Sequence, residues 1–191
     1  MRIVVDPGHG GYDPGACNTT VGVEEKAVNL SIATALHRSL LWAGHASLMT
    51  RDGDRYVTLS DRVALAKAHR ADAFISIHCN AAVNRQACGT EVWTDVGDTP
   101  ADPLATEIGE AMQAALLWSP LRRDDRDADL DKEGRFYVLR MTRCPAVLVE
   151  CGFISHDVEA RRLAEMATVN ATAGAISLGI CRWAERLGKN T

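Results

Sequence analysis

Residues 2–11 read RIVVDPGHGG and join an apolar run to a glycine-rich turn that carries a histidine. The apolar run predicts a buried strand, and the glycines around His9 let the backbone turn sharply where that strand ends. Two further apolar runs end in a similar way, in ISIHCN at 75–80 and in VLVECG at 147–152. Because ligands bind beyond the carboxyl ends of strands in open α/β sheets, we expect His9, His78 and Glu150 to converge on one edge.

Strand and helix patterns alternate along the rest of the chain. Predicted strands lie at 2–6, 46–50, 72–76, 90–94, 136–139 and 146–150, and predicted helices at 25–42, 59–70, 104–117 and in the tail. In the tail, four apolar residues recur at intervals of four, three and four positions, which predicts a helical stripe that faces the core: Ile176, Ile180, Trp183 and Leu187. The alternation predicts one α/β domain over 1–191, a mostly parallel, twisted sheet of about six strands with helices on both faces.

Composition excludes several classes of protein. The 191 residues are 47% hydrophobic, which is enough for one sizeable core. The net charge of -4 argues against a nucleic-acid partner. No run approaches the roughly 18 apolar residues of a membrane span, and the N-terminus lacks the apolar region of a signal peptide. The six cysteines contain no C-x-x-C pair, so we expect neither a disulfide framework nor a zinc ribbon.

One segment, residues 122–135, consists mostly of charged residues. A run of this kind is typical of a solvated loop. The alternative is the wall of a groove that touches substrate.

His9 and His78 are candidate metal ligands at the predicted sheet edge. A hydrolytic zinc site needs about three protein ligands and an open position for water. Glu24 and Glu25, at the start of the first predicted helix, are the candidates for the third ligand. The phase of that helix places Glu25 near the middle of the sheet-facing stripe and Glu24 at its edge. A carboxylate that points inward needs a cation or a hydrogen-bond partner, which favours Glu25.

Four sequence blocks, taken in order, carry a resemblance to a known family. They are VVDPGHGGYDPGA at 4–16, EKAVNL at 25–30, SIHCNA at 76–81 and PAVLVECGFISH at 145–156, and the linking segment TRDGDRYVTLSDR at 50–62 is similar as well. The blocks resemble those of the zinc-dependent N-acetylmuramoyl-L-alanine amidases of cell separation, sporulation and phage lysis. The resemblance covers nearly all of the chain. It implies hydrolysis of the amide bond between N-acetylmuramic acid and L-alanine in peptidoglycan.

The resemblance also implies the roles of the site residues. His9, Glu25 and His78 match the ligands of one Zn²⁺, and Glu150 matches the catalytic glutamate. In such a site zinc lowers the pKa of bound water to about 7 and polarises the substrate carbonyl, and a glutamate transfers the proton to the leaving amine. Asp6 and Asn80 lie next to ligands, where they either hydrogen-bond a histidine or cap a turn. No residue is assigned to substrate binding.

Cys79 and Cys151 depart from the family, which more often has small residues such as Ala after the histidine and the glutamate. A cysteine hydrolase is therefore an alternative interpretation. However, neighbours on a strand point to opposite faces, so we expect both thiols to pack in the core, away from the ligands.

Two other functions stay open, a zinc peptidase that cuts another peptidoglycan bond and a cell-wall binding module without turnover. Retention of Glu150 argues against the module, because binding needs no general base. Some family members carry a regulatory helix before the last strands, and the segment between 94 and 136 is too short to hold it beside an ordinary helix. We therefore expect an uninhibited monomer that needs no regulatory partner. We expect it to be made in the cytoplasm and to act on the cell wall, as a lysin released at lysis or as an exported protein whose signal peptide is absent from this sequence.

Overall fold

The computed structural model describes residues 1–123 and 130–189. In those residues the strands are β1 (Arg2–Pro7), β2 (Cys17–Asn18), β3 (Val23–Glu24), β4 (Ala46–Met49), β5 (Ala73–Asn80), β6 (Glu91–Thr94), β7 (Lys132–Glu133) and β8 (Ala146–Phe153). The helices are α1 (Glu25–Trp42), α2 (Leu59–Ala68), α3 (Asp102–Ala115), α4 (Tyr137–Met141), α5 (Asp157–Leu163) and α6 (Met166–Lys189). Residues 124–129, the middle of the charged segment, lie outside the described residues, and the solvated-loop prediction is not tested there.

Six strands form one sheet in the order β4-β1-β5-β8-β6-β7, and β2 pairs with β3 in a separate hairpin. Neighbouring strands are parallel except for β6 and β8. This confirms the predicted six-stranded, mostly parallel sheet. The order makes β1, β5 and β8 adjacent, so the three strands that carry His9, His78 and Glu150 lie side by side.

Two apolar clusters cover the two faces of the sheet. On one face, α1, α3 and α6 bury residues such as Ile32, Ile108 and Ile176 against Ile75 and Val149. The other face is covered by α2 and α4, whose buried side chains Ala66, Val138 and Leu139 pack on Phe74 and Leu148. Helices on both faces are therefore confirmed. Side chains alternate between the two faces along each strand, so neighbouring residues of one strand belong to different clusters.

Two local predictions are wrong. The run predicted as a strand at 136–139 belongs to the short helix α4, which packs Val138 and Leu139 against the sheet. A four-residue apolar run has no period of its own, so tertiary packing decides its conformation. In the tail, Ile176, Ile180 and Trp183 are buried as predicted. Leu187 is 44% exposed instead, and residues 184–188 at the end of α6 all retain exposed surface.

Among the described residues, no single helix is both long and apolar enough to span a membrane. Helices α5 and α6 meet those criteria only as a pair, and a bend of 80° separates them.

Candidate metal centre at the carboxyl edge of the sheet

His9, Glu25 and His78 meet at the carboxyl edge of the sheet, with one ligand atom from each within 4.8 Å of the others. Nε2 of His9 lies 3.2 Å and Nδ1 of His78 lies 3.0 Å from the same oxygen, Oε1 of Glu25. The two imidazole rings stand edge to face with their centroids 5.0 Å apart. Two imidazole nitrogens and one carboxylate oxygen form a donor set that suits Zn²⁺ with one position left open.

Two glycines, Gly8 and Gly15, make room for this cluster. A Cβ on Gly8 would lie 2.2 Å from Cε1 of His78, so the His78 ring packs directly on the Gly8 backbone. A Cβ on Gly15 would lie 2.5 Å from Oε2 of Glu25. His9 itself has a φ of 61°, a conformation that costs free energy in a residue with a Cβ and that turns its ring toward Glu25.

Glu25 is buried at the start of α1, and neutral donors fix its orientation. Oε2 accepts a hydrogen bond of 2.8 Å from the backbone N–H of Ala16, and Oε1 accepts one of 3.1 Å from the N–H of Cys79. Burial opposes ionisation of this carboxyl, but the hydrogen bonds and charges of His78 and His9 prevail and hold the pKa of Glu25 well below its usual range. Glu24 is exposed and lies 3.7 Å from Nζ of Lys26. The helical phase therefore predicted correctly that Glu25, and not Glu24, faces inward.

The ring of His9 is held by Asp13, a residue that the sequence analysis missed. Nδ1 of His9 lies 2.9 Å from Oδ2 of Asp13, and the backbone N–H of Gly15 donates to the other carboxylate oxygen at 3.1 Å. Burial alone would lower the pKa of His9, but the carboxylates of Glu25 and Asp13 raise it above its usual value. A carboxylate on Nδ1 leaves Nε2 available to a metal. The available signal was an acidic residue four positions after His9 within the glycine-rich turn.

Asp6, predicted either to hydrogen-bond a histidine ring or to cap a turn, instead binds an arginine that contacts the backbone. Its carboxylate accepts a hydrogen bond of 2.6 Å from Nη1 of the buried Arg62, and Nη2 of Arg62 donates to the carbonyl of His9 at 2.9 Å. Arg51, also buried, donates to the carbonyl of Gly8 at 2.8 Å. Two arginine side chains therefore fix the turn that carries His9.

Asn80, predicted either to hydrogen-bond His78 or to cap a turn, contacts Glu91 and the next backbone N–H. Its Nδ2 donates to Oε2 of Glu91 at 3.0 Å, and its Oδ1 accepts from the N–H of Ala81 at 2.8 Å. The second contact is the turn-capping alternative.

Glu150 lies on β8 directly beside His78 on β5 and Glu91 on β6. Residues paired in this way have side chains on the same face of the sheet. Among the described residues, Oε2 of Glu150 is buried and has no hydrogen-bond partner. Burial, together with the negative charges of Glu25 and Glu91, raises the pKa of Glu150 well above its usual value. A buried carboxyl without a partner, next to candidate metal ligands, is typical of a catalytic group.

Glu91 lies on the side of Glu150 that faces away from His78, and the sequence analysis did not identify it. Oε1 accepts hydrogen bonds of 2.8 Å from Nε of Arg122 and from Nζ of Lys132. Oε2 accepts one of 3.1 Å from Nε1 of Trp93 as well as that from Asn80. The described ends of the charged segment 122–135 thus pack beside the candidate site, which favours the groove-wall interpretation for those two residues.

A cavity of about 300 Å³ opens beside the two histidines on the side of α2 and α4. Besides His9 and His78 it is lined by Asp13, Tyr56, Val57, Leu59 and Val138. The cavity provides open space beside the candidate ligands His9 and His78.

Cys79 and Cys151 are buried in the core cluster on the other face of the sheet, as strand alternation predicted. Burial, aided by nearby negative charges, raises the pKa of both thiols. A thiolate nucleophile at either position is therefore disfavoured.

Comparison with known proteins shows close sequence relatives. The sequence profile of a family described as N-acetylmuramoyl-L-alanine amidase matches residues 3–182. The chain is 34% identical to the N-acetylmuramoyl-L-alanine amidase LytC of Bacillus subtilis, over 93% of this chain and 34% of LytC. It is 35% identical to the sporulation-specific N-acetylmuramoyl-L-alanine amidase of the same species, over 91% of this chain and 64% of that protein. The chain therefore spans less than two thirds of the length of both relatives.

Solved structures share the fold over almost the whole chain. The amidase AmiC2 of Nostoc punctiforme is 33% identical, with a TM-score of 0.84 and coverage of 97% of this chain and 98% of that one. The catalytic domain of CwlV from Bacillus (Paenibacillus) polymyxa is 28% identical, with a TM-score of 0.87 and coverage of 96% and 98%. The CwlD amidase of Clostridioides difficile, solved in complex with the GerS lipoprotein, is 27% identical, with a TM-score of 0.86 and coverage of 97% and 98%.

Proposed function

The chain belongs to the N-acetylmuramoyl-L-alanine amidase family, whose members hydrolyse a peptidoglycan amide bond, and we propose that one Zn²⁺ bound by His9, Glu25 and His78 serves this reaction here. The substrate of the proposal is the amide between the lactyl group of N-acetylmuramic acid and L-alanine. The observation that carries it is the convergence of these three donors beside Glu150, whose buried Oε2 has no hydrogen-bond partner in the described part of the chain.

The residues around the ligands fit such a metal. Asp13 holds Nδ1 of His9, so Nε2 points toward His78 and Glu25. The N–H of Ala16 holds Oε2 of Glu25, so Oε1 faces both imidazoles. When bound, zinc would lower the pKa of a water molecule to about 7 and polarise the scissile carbonyl. Glu25 contacts the two histidines and accepts hydrogen bonds from the N–H groups of Ala16 and Cys79, and a bound cation would add to this compensation for its burial.

Glu150 is the proposed general base and acid. It accepts a proton from the attacking water and delivers it to the nitrogen of the departing L-alanine. The products are a lactyl carboxylate on the sugar and a free amine on the peptide. A raised pKa suits this role, because it makes the carboxylate a stronger acceptor for the proton of the water.

We propose that the site is not inhibited by the chain itself and that the enzyme works as a monomer without a regulatory partner. Between β6 and α4 the described residues contain one helix, α3, which packs against α6 on the face opposite Glu150. The CwlD relative was solved with a lipoprotein partner. The proposal is supported if the purified chain alone lyses peptidoglycan and its mass in solution corresponds to a monomer. A requirement for an added protein contradicts it.

The test of the reaction is the loss of turbidity of purified peptidoglycan. It is measured with the protein as prepared, after chelation, after zinc is restored and with Glu150→Ala, with Glu110→Ala at an exposed position of α3 as the matched control. Lysis that requires metal and Glu150 and releases L-alanine amino termini supports the proposal. Amino termini of another residue indicate a peptidase. Binding without lysis indicates a cell-wall binding module.

A further inference from the structure

Two tyrosines outside the metal cluster form an exposed stacked pair. Tyr12 is 80% exposed and Tyr56 is 41% exposed, yet their ring centroids lie 4.4 Å apart at an interplanar angle of 26°. Adjacent aromatic rings at the surface leave apolar area in contact with water, and such patches commonly mark a binding surface. Neither tyrosine contributes to the apolar clusters of the two sheet faces.

The loops that carry the two tyrosines contact each other next to His9. The N–H of Gly11 donates to Oδ1 of Asp54 at 2.8 Å, and Nζ of Lys26 donates to the carbonyl of Gly11 and to Oδ2 of Asp54, both at 2.9 Å. A Cβ on Gly11 would lie 2.7 Å from the backbone nitrogen of Tyr56, so the two loops touch. These contacts hold the two loops that carry the tyrosines together beside His9.

The pair continues the cavity beside the metal ligands. Tyr56 lines the same space of about 300 Å³ as His9 and His78, and Tyr12 stacks on Tyr56. A ligand group that leaves the metal in this direction therefore meets an aromatic surface.

We propose that the Tyr12–Tyr56 pair binds a pyranose ring of the glycan strand. The inference rests on the proposed amidase function. In that substrate the scissile carbonyl belongs to a lactyl group attached directly to the sugar, so the sugar ring must lie next to the metal when the carbonyl reaches it. The faces of a pyranose present C–H groups that stack on an aromatic ring while the hydroxyls remain in water, the same amphipathic match that tyrosine offers elsewhere.

Charge on the opposite flank supports this orientation. Tyr56 follows β4 at one edge of the sheet, whereas Glu91, Arg122 and Lys132 lie on the side of β6 and β7 at the other edge. In the substrate the lactyl carboxyl group is part of the amide bond, whereas the stem peptide carries free carboxylates, so the cations Arg122 and Lys132 suit the peptide. The substrate thus crosses the sheet edge with its sugar on the tyrosine pair and its peptide toward Arg122 and Lys132.

The experiment measures binding without turnover. Peptide-free glycan strands of alternating N-acetylglucosamine and N-acetylmuramic acid and a free stem peptide that begins with L-alanine are titrated separately into the zinc-loaded protein by calorimetry. The variants are Tyr12→Ala, Tyr56→Ala and the ring-retaining Tyr12→Phe and Tyr56→Phe. Trp42→Ala removes an aromatic ring that is 94% exposed at the end of α1 and is the matched control.

Each alanine variant should bind the glycan about three- to tenfold more weakly, the effect of one aromatic contact, whereas the phenylalanine variants and Trp42→Ala should stay within about twofold. Peptide binding should not change in any of them. Unchanged glycan affinity in the alanine variants, or no measurable glycan binding by the unmodified protein, overturns the inference. Loss of peptide rather than glycan affinity also overturns it and places the peptide on this flank. Because no hydrolysis is involved, these outcomes are independent of whether the amidase reaction itself is found.

Discussion

Glu150→Gln should separate catalysis from stability. The substitution keeps the size of the side chain but removes its ability to accept and release a proton. Among the described residues, Oε2 of Glu150 has no hydrogen-bond partner, and no ligand of the proposed metal site depends on it. We therefore expect the activity to fall while folding and metal content are retained.

The size of both effects follows from the environment of the carboxyl. Loss of general acid and base catalysis costs roughly 10²- to 10⁴-fold in rate, or about 3–5 kcal/mol in activation free energy. Stability should be unchanged or higher. The folded-state pKa of Glu150 is raised, so in the metal-free protein this group lowers the free energy of unfolding progressively as the pH rises from the unfolded pKa of about 4.3 through the folded value. Glutamine does not titrate, so the free energy of unfolding of metal-free Glu150→Gln, relative to the parent protein, should increase with pH.

The measurements are peptidoglycan lysis, bound zinc and denaturant unfolding of the metal-free protein at several pH values. Glu159→Gln is a matched control, because Glu159 is a buried carboxylate that accepts hydrogen bonds from Gly89, Phe153 and Ser119. Loss of its charge should destabilise the protein by about 1–3 kcal/mol with little effect on the rate per folded molecule. The reasoning is refuted if Glu150→Gln loses stability like the control, releases zinc, or lyses peptidoglycan at the parent rate.

Three further predictions concern the metal cluster and the thiols. Asp13→Asn should weaken zinc binding about 10- to 100-fold in a competition with a chelator, since the Nδ1 of His9 loses its carboxylate; an unchanged affinity would contradict the role of Asp13. Gly8→Ala should cost roughly 10²-fold in activity because its Cβ displaces the His78 ring, whereas Gly53→Ala, with nothing within 4 Å, should be neutral. Iodoacetamide at neutral pH should modify the exposed Cys17 without loss of activity, because burial raises the pKa of the thiols of Cys79 and Cys151; parallel inactivation would favour a cysteine mechanism.

Several features of the fold and site follow from local sequence alone. The helix predicted from its apolar stripe begins at Glu25 and ends at Trp42 in the structure as well, and its phase indicated that Glu25 rather than Glu24 faces inward. The strand-end rule placed His9, His78 and Glu150 on one edge before any contact was known. These predictions succeed because helical and strand periods are properties of consecutive residues, and because parallel strands have only one carboxyl edge.

Other features depend on residues that are distant in sequence. Arg62 is 56 residues from Asp6, and Lys132 is 41 residues from Glu91, yet each pair forms a short ion pair that shapes the site. The stacking of Tyr56 on Tyr12 likewise requires two loops to meet.

The sequence by itself determined the α/β architecture, the common edge of the three strand ends and the candidate ligands, since local periodicity and residue type suffice for these. Only the tertiary structure decided that 137–141 is helical, that Asp13 rather than Asp6 holds the His9 ring, and that Glu91 borders Glu150. The physical reason is that a side chain's partner is selected by packing and strand register, and several carboxylates of equal chemistry compete for each donor until the fold brings one of them within hydrogen-bond distance.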